Sequence, residues 1–155
     1  MMSERSGKGL RVLVVDDSAL SRKMFCTILE SDPGILHVET AADPYGAVEK
    51  IRREVPDVIL LDVEMPRMDG LKFLKRIMAQ HPLPVVVCSA LTRGKGDAIA
   101  KEAMALGAVD IIAKPTIEDR AAMDEASRKI LDAIYAAAGV RRDPMAYIDK
   151  KETSF

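Results

Sequence analysis

The sequence predicts a doubly wound α/β sandwich built on a five-stranded parallel sheet. Two observations and one general rule predict this fold class. Short apolar runs alternate five times with longer segments of helical period. The runs are apolar throughout rather than at every second position, which is typical of strands covered on both faces. Right-handed crossovers between parallel strands then place helices on both sides of the sheet.

The predicted elements follow each other in strict strand–helix order. Ser18 is a good N-cap for the first helix, and Asp43 followed by Pro44 starts the second. Gly107 is the predicted C′ residue of the fourth helix. The predicted strands are 10–15, 35–40, 58–61, 85–89 and 108–113. The first predicted helix starts at residue 18 and the second starts at residue 43. The third contains residues 71–78, the fourth spans 93–106 and the fifth spans 116–138.

Length and composition predict one domain and exclude several classes of protein. The chain has 155 residues and a net charge of −1, which argues against a nucleic-acid binder. No apolar run approaches the roughly 20 residues of a membrane span, and the polar N-terminus lacks a signal peptide's apolar region. Two cysteines make neither a disulfide framework nor a zinc site. We expect a cytoplasmic protein with a disordered N-terminus (1–9), a folded domain (10–138) and a C-terminal tail or truncated linker (139–155).

Polar residues stand where four of the predicted strands end. Asp16 and Asp17 follow the first strand, Asp62 follows the third, Ser89 ends the fourth and Lys114 follows the fifth. Ligands of open parallel sheets bind beyond the carboxyl ends of the strands. A flavodoxin-like strand order, 2-1-3-4-5, would bring all five side chains to one crevice.

These residue types suit phosphoryl transfer. Closely packed aspartates repel each other unless a cation lies among them, and carboxylate oxygens suit Mg²⁺. A carboxylate can attack phosphorus and form an aspartyl phosphate. Lys114 and the Ser89 hydroxyl could then stabilise the charge on the phosphoryl oxygens.

The same residues carry a family resemblance. The chain resembles the receiver domain of bacterial two-component response regulators, and the likeness covers residues 10 to about 138. The matching segments occur in family order and are VVDDS (14–18), LDVEMPRMDG (61–70), CSAL (88–91) and AKP (113–115).

The resemblance implies roles for the site residues. Asp62 is the implied phosphoacceptor, and Mg²⁺ is the implied cofactor, held by Asp16, Asp17, Asp62 and the backbone carbonyl of Glu64. Lys114 is expected to pair with the phosphoryl group. In such domains the acceptor takes its phosphoryl group from a histidine kinase, and the domain catalyses its own phosphorylation and hydrolysis without being a turnover enzyme.

The resemblance also implies how the phosphorylated state is reported. Ser89 is the implied switch hydroxyl, and the Lys114–Pro115 peptide is expected to be cis. Ile111 stands where many receivers carry Tyr or Phe, so a turning aromatic ring cannot be the readout. A downstream protein or effector domain would read the surface of the fourth helix, fifth strand and fifth helix. A phosphorylation-dependent homodimer stays open.

A narrower likeness concerns the receiver of the chemotaxis receptor methylesterase. It rests on residues 64–70, 89–96 and 106–110. The sequence contains no Gly-x-Ser-x-Gly turn for an esterase nucleophile. The chain is therefore either a receiver cut from a longer enzyme or a stand-alone relative.

Two alternatives remain. A Mg²⁺-dependent phosphatase of haloacid-dehalogenase type also uses an aspartate nucleophile with an acid two residues on, as Asp62 and Glu64 would offer. Its nucleophile, however, ends the first strand of the core. The second alternative is a protein-binding module that uses the fold without phosphorylation.

Overall fold

The computed structural model confirms the predicted fold class. It describes residues 9–64, 69–89, 95–115 and 120–140. The five strands form one parallel sheet in the order β2-β1-β3-β4-β5. The strands are β1 (Leu10–Val15), β2 (Ile35–Ala41), β3 (Val58–Asp62), β4 (Val85–Ser89) and β5 (Asp110–Ala113). The helices are α1 (Ala19–Glu30), α2 (Pro44–Arg53), α3 (Gly70–Gln80), α4 (Lys95–Ala105) and α5 (Arg120–Ala138).

The sheet separates two apolar cores. Successive residues of β1 point to opposite faces, so Val12 and Val14 pack with α1 and α5, whereas Leu13 and Val15 pack with α2, α3 and α4. All four side chains are at most 2% exposed. This double burial explains why the central strands are apolar throughout, and it leaves the strand ends as the place for polar chemistry.

Helix caps occur where the sequence predicts them. The Ser18 hydroxyl accepts a hydrogen bond from the N–H of Ser21, and the Asp43 carboxylate accepts one from the N–H of Gly46. Gly107 has a φ of +112°, which fits the left-handed C′ position after α4. These local signals were sufficient because each cap is satisfied within its own turn of chain.

The fifth strand starts later than predicted. Its predicted first residue, Ala108, instead donates its N–H to the carbonyl of Ala103, while Gly107 donates to Met104. This pair of bonds closes α4 in a Schellman motif and delays pairing with β4. The second strand is one residue longer than predicted. The predicted elements and tails at 1–8, 93–94, 116–119 and 141–155 lie outside the described residues.

A buried polar contact fastens α5 to the turn after α1. The Tyr135 hydroxyl donates to Oδ2 of Asp32, an oxygen that also accepts from the N–H of Gly34 at 3.0 Å. Both side chains are buried, at 6% and 7% exposed. The contact joins residues that are 103 positions apart in the chain. It fixes one end of α5 against the sheet.

Replacing Tyr135 with Phe is expected to lower the free energy of unfolding by about 1–3 kcal/mol, because a buried carboxylate loses a donor. Urea unfolding followed by circular dichroism measures this difference. Tyr45→Phe is the matched control, since Tyr45 is 76% exposed and should leave stability unchanged. Equal stability of the two variants would show that the buried hydroxyl contributes nothing.

Among the residues described, no helix combines the length and the apolar composition that spanning a bilayer requires.

Candidate functional site

The polar residues at the strand ends lie along one edge of the sheet. Val15 of β1 is in register with Leu61 of β3, so the next residues, Asp16 and Asp62, are neighbours. Lys114 comes directly after β5, and its N–H donates to the carbonyl of Ser89 at 2.9 Å. The topology therefore gathers residues up to about a hundred positions apart. Asp62 ends the third strand, not the first as the phosphatase alternative requires.

Three carboxylates form an acidic cluster. Asp16, Asp17 and Asp62 each offer an oxygen, and these oxygens lie within 4.8 Å of one another. Asp16 and Asp62 are buried, whereas Asp17 is exposed and faces solvent. The cluster is therefore open on one side and closed on the other. Hard oxygen donors in a partly open site fit a small divalent cation that keeps some of its waters.

Lys114 is the cation of this site. Its Nζ lies 2.9 Å from Oδ2 of Asp16 and 3.3 Å from Oδ2 of Asp62. Oδ2 of Asp16 is fully buried and, in the part of the chain described, receives no well-directed hydrogen bond. One ammonium thus serves two buried carboxylates, and the Asp16 oxygen keeps capacity for another electrophilic partner.

The ionisation of the site follows from this arrangement. Burial raises the pKa of Asp62, and repulsion from Asp16 adds to the rise, although the Glu64 N–H and Lys114 oppose it. Burial alone would lower the pKa of Lys114, but its contacts with the Asp16 and Asp62 carboxylates raise it overall. Lys114 therefore stays charged while the two carboxylates repel each other. A divalent cation among the aspartates would relieve that repulsion.

Backbone contacts fix the direction of the carboxylates. Oδ1 of Asp16 accepts from the N–H of Ser18, and Oδ1 of Asp62 accepts from the N–H of Glu64, both at 2.9 Å. Arg22 also contributes, since its guanidinium donates to the main-chain carbonyl of Asp16 at 2.8 Å. Sequence reasoning missed Arg22. The feature of the sequence that could have identified Arg22 is its position: a basic side chain one turn after the N-cap Ser18, where the helix dipole disfavours a positive charge.

The two remaining side chains of the predicted site lie on β4 and β5. Ser89 is half-buried at the end of β4, and Ile111 is half-buried and packs against the core beneath α2, α3 and α4. Cys88 lies in register with Asp62 and is fully buried, which raises the pKa of its thiol to about 12. Burial makes Cys88 a packing residue of the core rather than a nucleophile.

The predicted cis peptide before Pro115 is wrong. No cis peptide bond occurs in the described residues, so the Lys114–Pro115 bond is trans. The trans form of an X–Pro bond is favoured by about 0.5–1 kcal/mol. Lys114 contacts both Asp16 and Asp62 from this trans backbone.

Comparison with known proteins agrees with this geometry. The family model described as the response regulator receiver domain matches residues 12–130. A protein-glutamate methylesterase/protein-glutamine glutaminase of Anaeromyxobacter dehalogenans is 53% identical over 133 residues, which are 86% of this chain but 36% of that protein. The chain thus spans little more than a third of that relative's length.

Solved structures give the same result. The response regulator domain of Thermotoga maritima CheB has a TM-score of 0.73 and 40% identity, covering 86% of this chain and 99% of that one. A CheX-CheY-BeF3-Mg+2 complex from Borrelia burgdorferi has a TM-score of 0.66 and 32% identity, covering 82% of this chain and 87% of that one. The sequence, the strand order and the site agree: this chain belongs to the response regulator receiver domain family.

Proposed function

We propose that Asp62 accepts a phosphoryl group from a histidine kinase and that phosphorylation switches a protein-interaction surface. One observation carries the proposal. The Asp62 carboxylate is buried beside the Asp16 carboxylate at a strand end, with the Lys114 ammonium 3.3 Å from its Oδ2. A structural aspartate would gain nothing from a buried like-charged neighbour, whereas a nucleophile for phosphorus needs electrostatic support at that place.

The proposed transfer forms one bond and breaks one bond. An oxygen of Asp62 attacks phosphorus, and the bond from phosphorus to the imidazole nitrogen of the kinase histidine breaks, so that the imidazole leaves with the bonding electrons. The N–H of Glu64 donates a hydrogen bond to Oδ1 of Asp62, which restricts rotation of the Asp62 carboxylate during the attack. Lys114, already between two carboxylates, is placed to pair with the arriving phosphoryl oxygens.

The donor set at this site fits Mg²⁺. Asp16, Asp17 and Asp62 would hold the ion, and the backbone carbonyl of Glu64 would be a further ligand. The buried Oδ2 of Asp16 supports this assignment, because it lacks a well-directed donor and can bind a cation. When bound, the ion neutralises charge on the phosphoryl oxygens. The Borrelia burgdorferi relative is a CheX-CheY-BeF3-Mg+2 complex.

The output of the switch follows from the residues around the site. Ser89 is the proposed hydroxyl that moves toward the phosphoryl group. Ile111 packs in the core and cannot act as a turning ring, so the readout passes through Ser89, its following loop and α4. The proposed target is a downstream protein or linked effector domain, which in the methylesterase relatives would be the catalytic domain.

We place this signalling in the cytoplasm, where histidine kinases present their phosphohistidine. Dimerisation on phosphorylation remains part of this proposal.

The test is phosphorylation by a small donor. The purified chain is incubated with acetyl phosphate and Mg²⁺, and intact mass is expected to rise by one phosphoryl group; the same reaction with EDTA should give no rise. No mass rise with Mg²⁺ present would overturn the proposal and favour the unphosphorylated binding module. Continuous turnover of a generic phosphate ester, without a retained phosphoryl group, would favour the phosphatase.

A further inference from the structure

An apolar groove runs between α2 and α3, on the face of the molecule formed by those two helices. Near the C-termini of the two helices the groove has a cavity volume of about 380 Å³, and from there it continues along both helices toward their N-termini. We call it the α2–α3 groove. Phe73 and Ile77 are buried in its floor, whereas Val55 is 46% exposed at its end. Its apolar lining residues are Val48, Ile51, Val55, Phe73, Ile77 and Leu83.

The rim of the groove is cationic. Arg52 of α2 and Arg76 of α3 line it. Lys72 lines its continuation near the start of α3, together with Asp69, whose carboxylate accepts from the N–H groups of Leu71 and Lys72 and so caps that helix. All three basic side chains are exposed, and none forms a salt bridge within the part of the chain that the structure describes. The helix α3 carries Lys72, Lys75 and Arg76 and no acidic residue, in a chain whose net charge is −1.

Helix stability does not account for these charges. Arg52 lies in the last turn of α2, where the helix dipole favours a cation. Lys72 lies in the first turn of α3, where the dipole disfavours one, and Arg76 lies between the two ends. A row of unpaired cations beside exposed apolar surface is instead the pattern of a docking site for a negatively charged partner.

We propose that the α2–α3 groove docks an acidic amphipathic helix of a partner protein. The two walls are helices of 10 and 11 residues, so a partner helix of about three turns would match their length. Its apolar side chains, three and four residues apart, would lie on the groove floor. Its carboxylates would pair with Arg52, Arg76 and Lys72 on the rim.

Two other occupants fit less well. Residues 141–155 of this chain contain four basic and three acidic side chains, so they offer no excess of carboxylates to complement a cationic rim. A second copy seated on the same face would bring Arg52 and Arg76 of each chain toward each other, at an electrostatic cost. Asp16, Asp62 and Lys114 do not line the groove, so the unphosphorylated chain presents it.

The test uses the unphosphorylated chain and a defined peptide. The probe is a fluorescein-labelled peptide of about 16 residues, with leucines spaced three and four apart and glutamates beside them. Anisotropy titration should show saturable binding that weakens as salt is raised. Amide chemical shift changes should fall on α2 and α3. The Arg52→Glu/Arg76→Glu double variant should bind at least about tenfold more weakly.

Matched controls separate the groove from general charge effects. Arg120→Glu/Arg128→Glu reverses two exposed charges on α5, on the opposite face of the sheet. It changes the net charge as much as the groove double variant does, and it should bind within about twofold of wild type. The probe with lysines in place of glutamates should not bind. The proposal is overturned if the acidic probe does not bind, or if Arg120→Glu/Arg128→Glu weakens binding as much as Arg52→Glu/Arg76→Glu does. It is also overturned if the amide chemical shift changes fall on elements other than α2 and α3. Concentration-dependent dimerisation through α2 and α3 in sedimentation would assign the groove to a second copy instead.

Discussion

The Asp62→Asn variant is expected to take up no phosphoryl group from acetyl phosphate under conditions in which the wild-type chain is labelled. An amide oxygen is a far weaker nucleophile than a carboxylate, and the variant removes one of the three carboxylates that would hold Mg²⁺. Intact mass measures the first effect. Isothermal titration with Mg²⁺ measures the second, with an expected affinity loss of at least about tenfold.

Loss of folding would not explain this result. Burial and the Asp16 charge raise the pKa of Asp62, so its ionised form is held at an electrostatic cost that asparagine removes. Lys114 keeps its partner Asp16 at 2.9 Å. We therefore expect Asp62→Asn to be at least as stable as wild type in EDTA, by thermal melting.

Asp124→Asn is the matched control, because Asp124 is exposed on α5 and is not one of the three carboxylates of the acidic cluster. It should be phosphorylated like wild type. Phosphorylation of Asp62→Asn at the wild-type level, or loss of labelling in Asp124→Asn, would contradict the assignment of Asp62 as the acceptor.

The site was predictable because it depends on topology more than on detailed packing. Asp16 and Asp62 follow apolar strands, and the carboxyl ends of adjacent parallel strands meet at one edge, so strand order alone brings them together. The caps at Ser18 and Asp43 were predictable for a related reason, since each capping bond spans only three residues.

Features that depend on tertiary packing, side-chain rotamers or small free-energy differences were not predictable in this way. The Tyr135–Asp32 bond depends on where the end of α5 comes to rest, which no local pattern encodes. The contact of Arg22 with the Asp16 carbonyl depends on the rotamer of the Arg22 side chain. The trans peptide before Pro115 depends on the small free-energy difference between the cis and trans forms of an X–Pro bond. The α2–α3 groove likewise arises from the spacing of two helices that share one face of the sheet.

Gly70→Ala is expected to destabilise the fold and disturb the acidic cluster together. Gly70 is the buried first residue of α3, and a Cβ there would lie 2.6 Å from Cα of Val63 and 2.9 Å from the carbonyl oxygen of Asp62. Both are main-chain atoms, so either α3 or the end of β3 must move. We expect the free energy of unfolding to fall by about 2–3 kcal/mol.

Gly46→Ala separates this close approach from a general effect of replacing glycine in a helix. A Cβ on Gly46 of α2 would lie 3.6 Å from the nearest carboxylate oxygen of Asp43, an ordinary contact. Its free energy of unfolding should be unchanged or higher by up to about 1 kcal/mol, because alanine favours a helix. Urea unfolding measures both variants, and Mg²⁺ titration should show weaker binding in Gly70→Ala alone. If both variants were equally stable, the contact between α3 and the end of β3 would not constrain Asp62. The carboxylate's position would then depend only on the Glu64 N–H and Lys114.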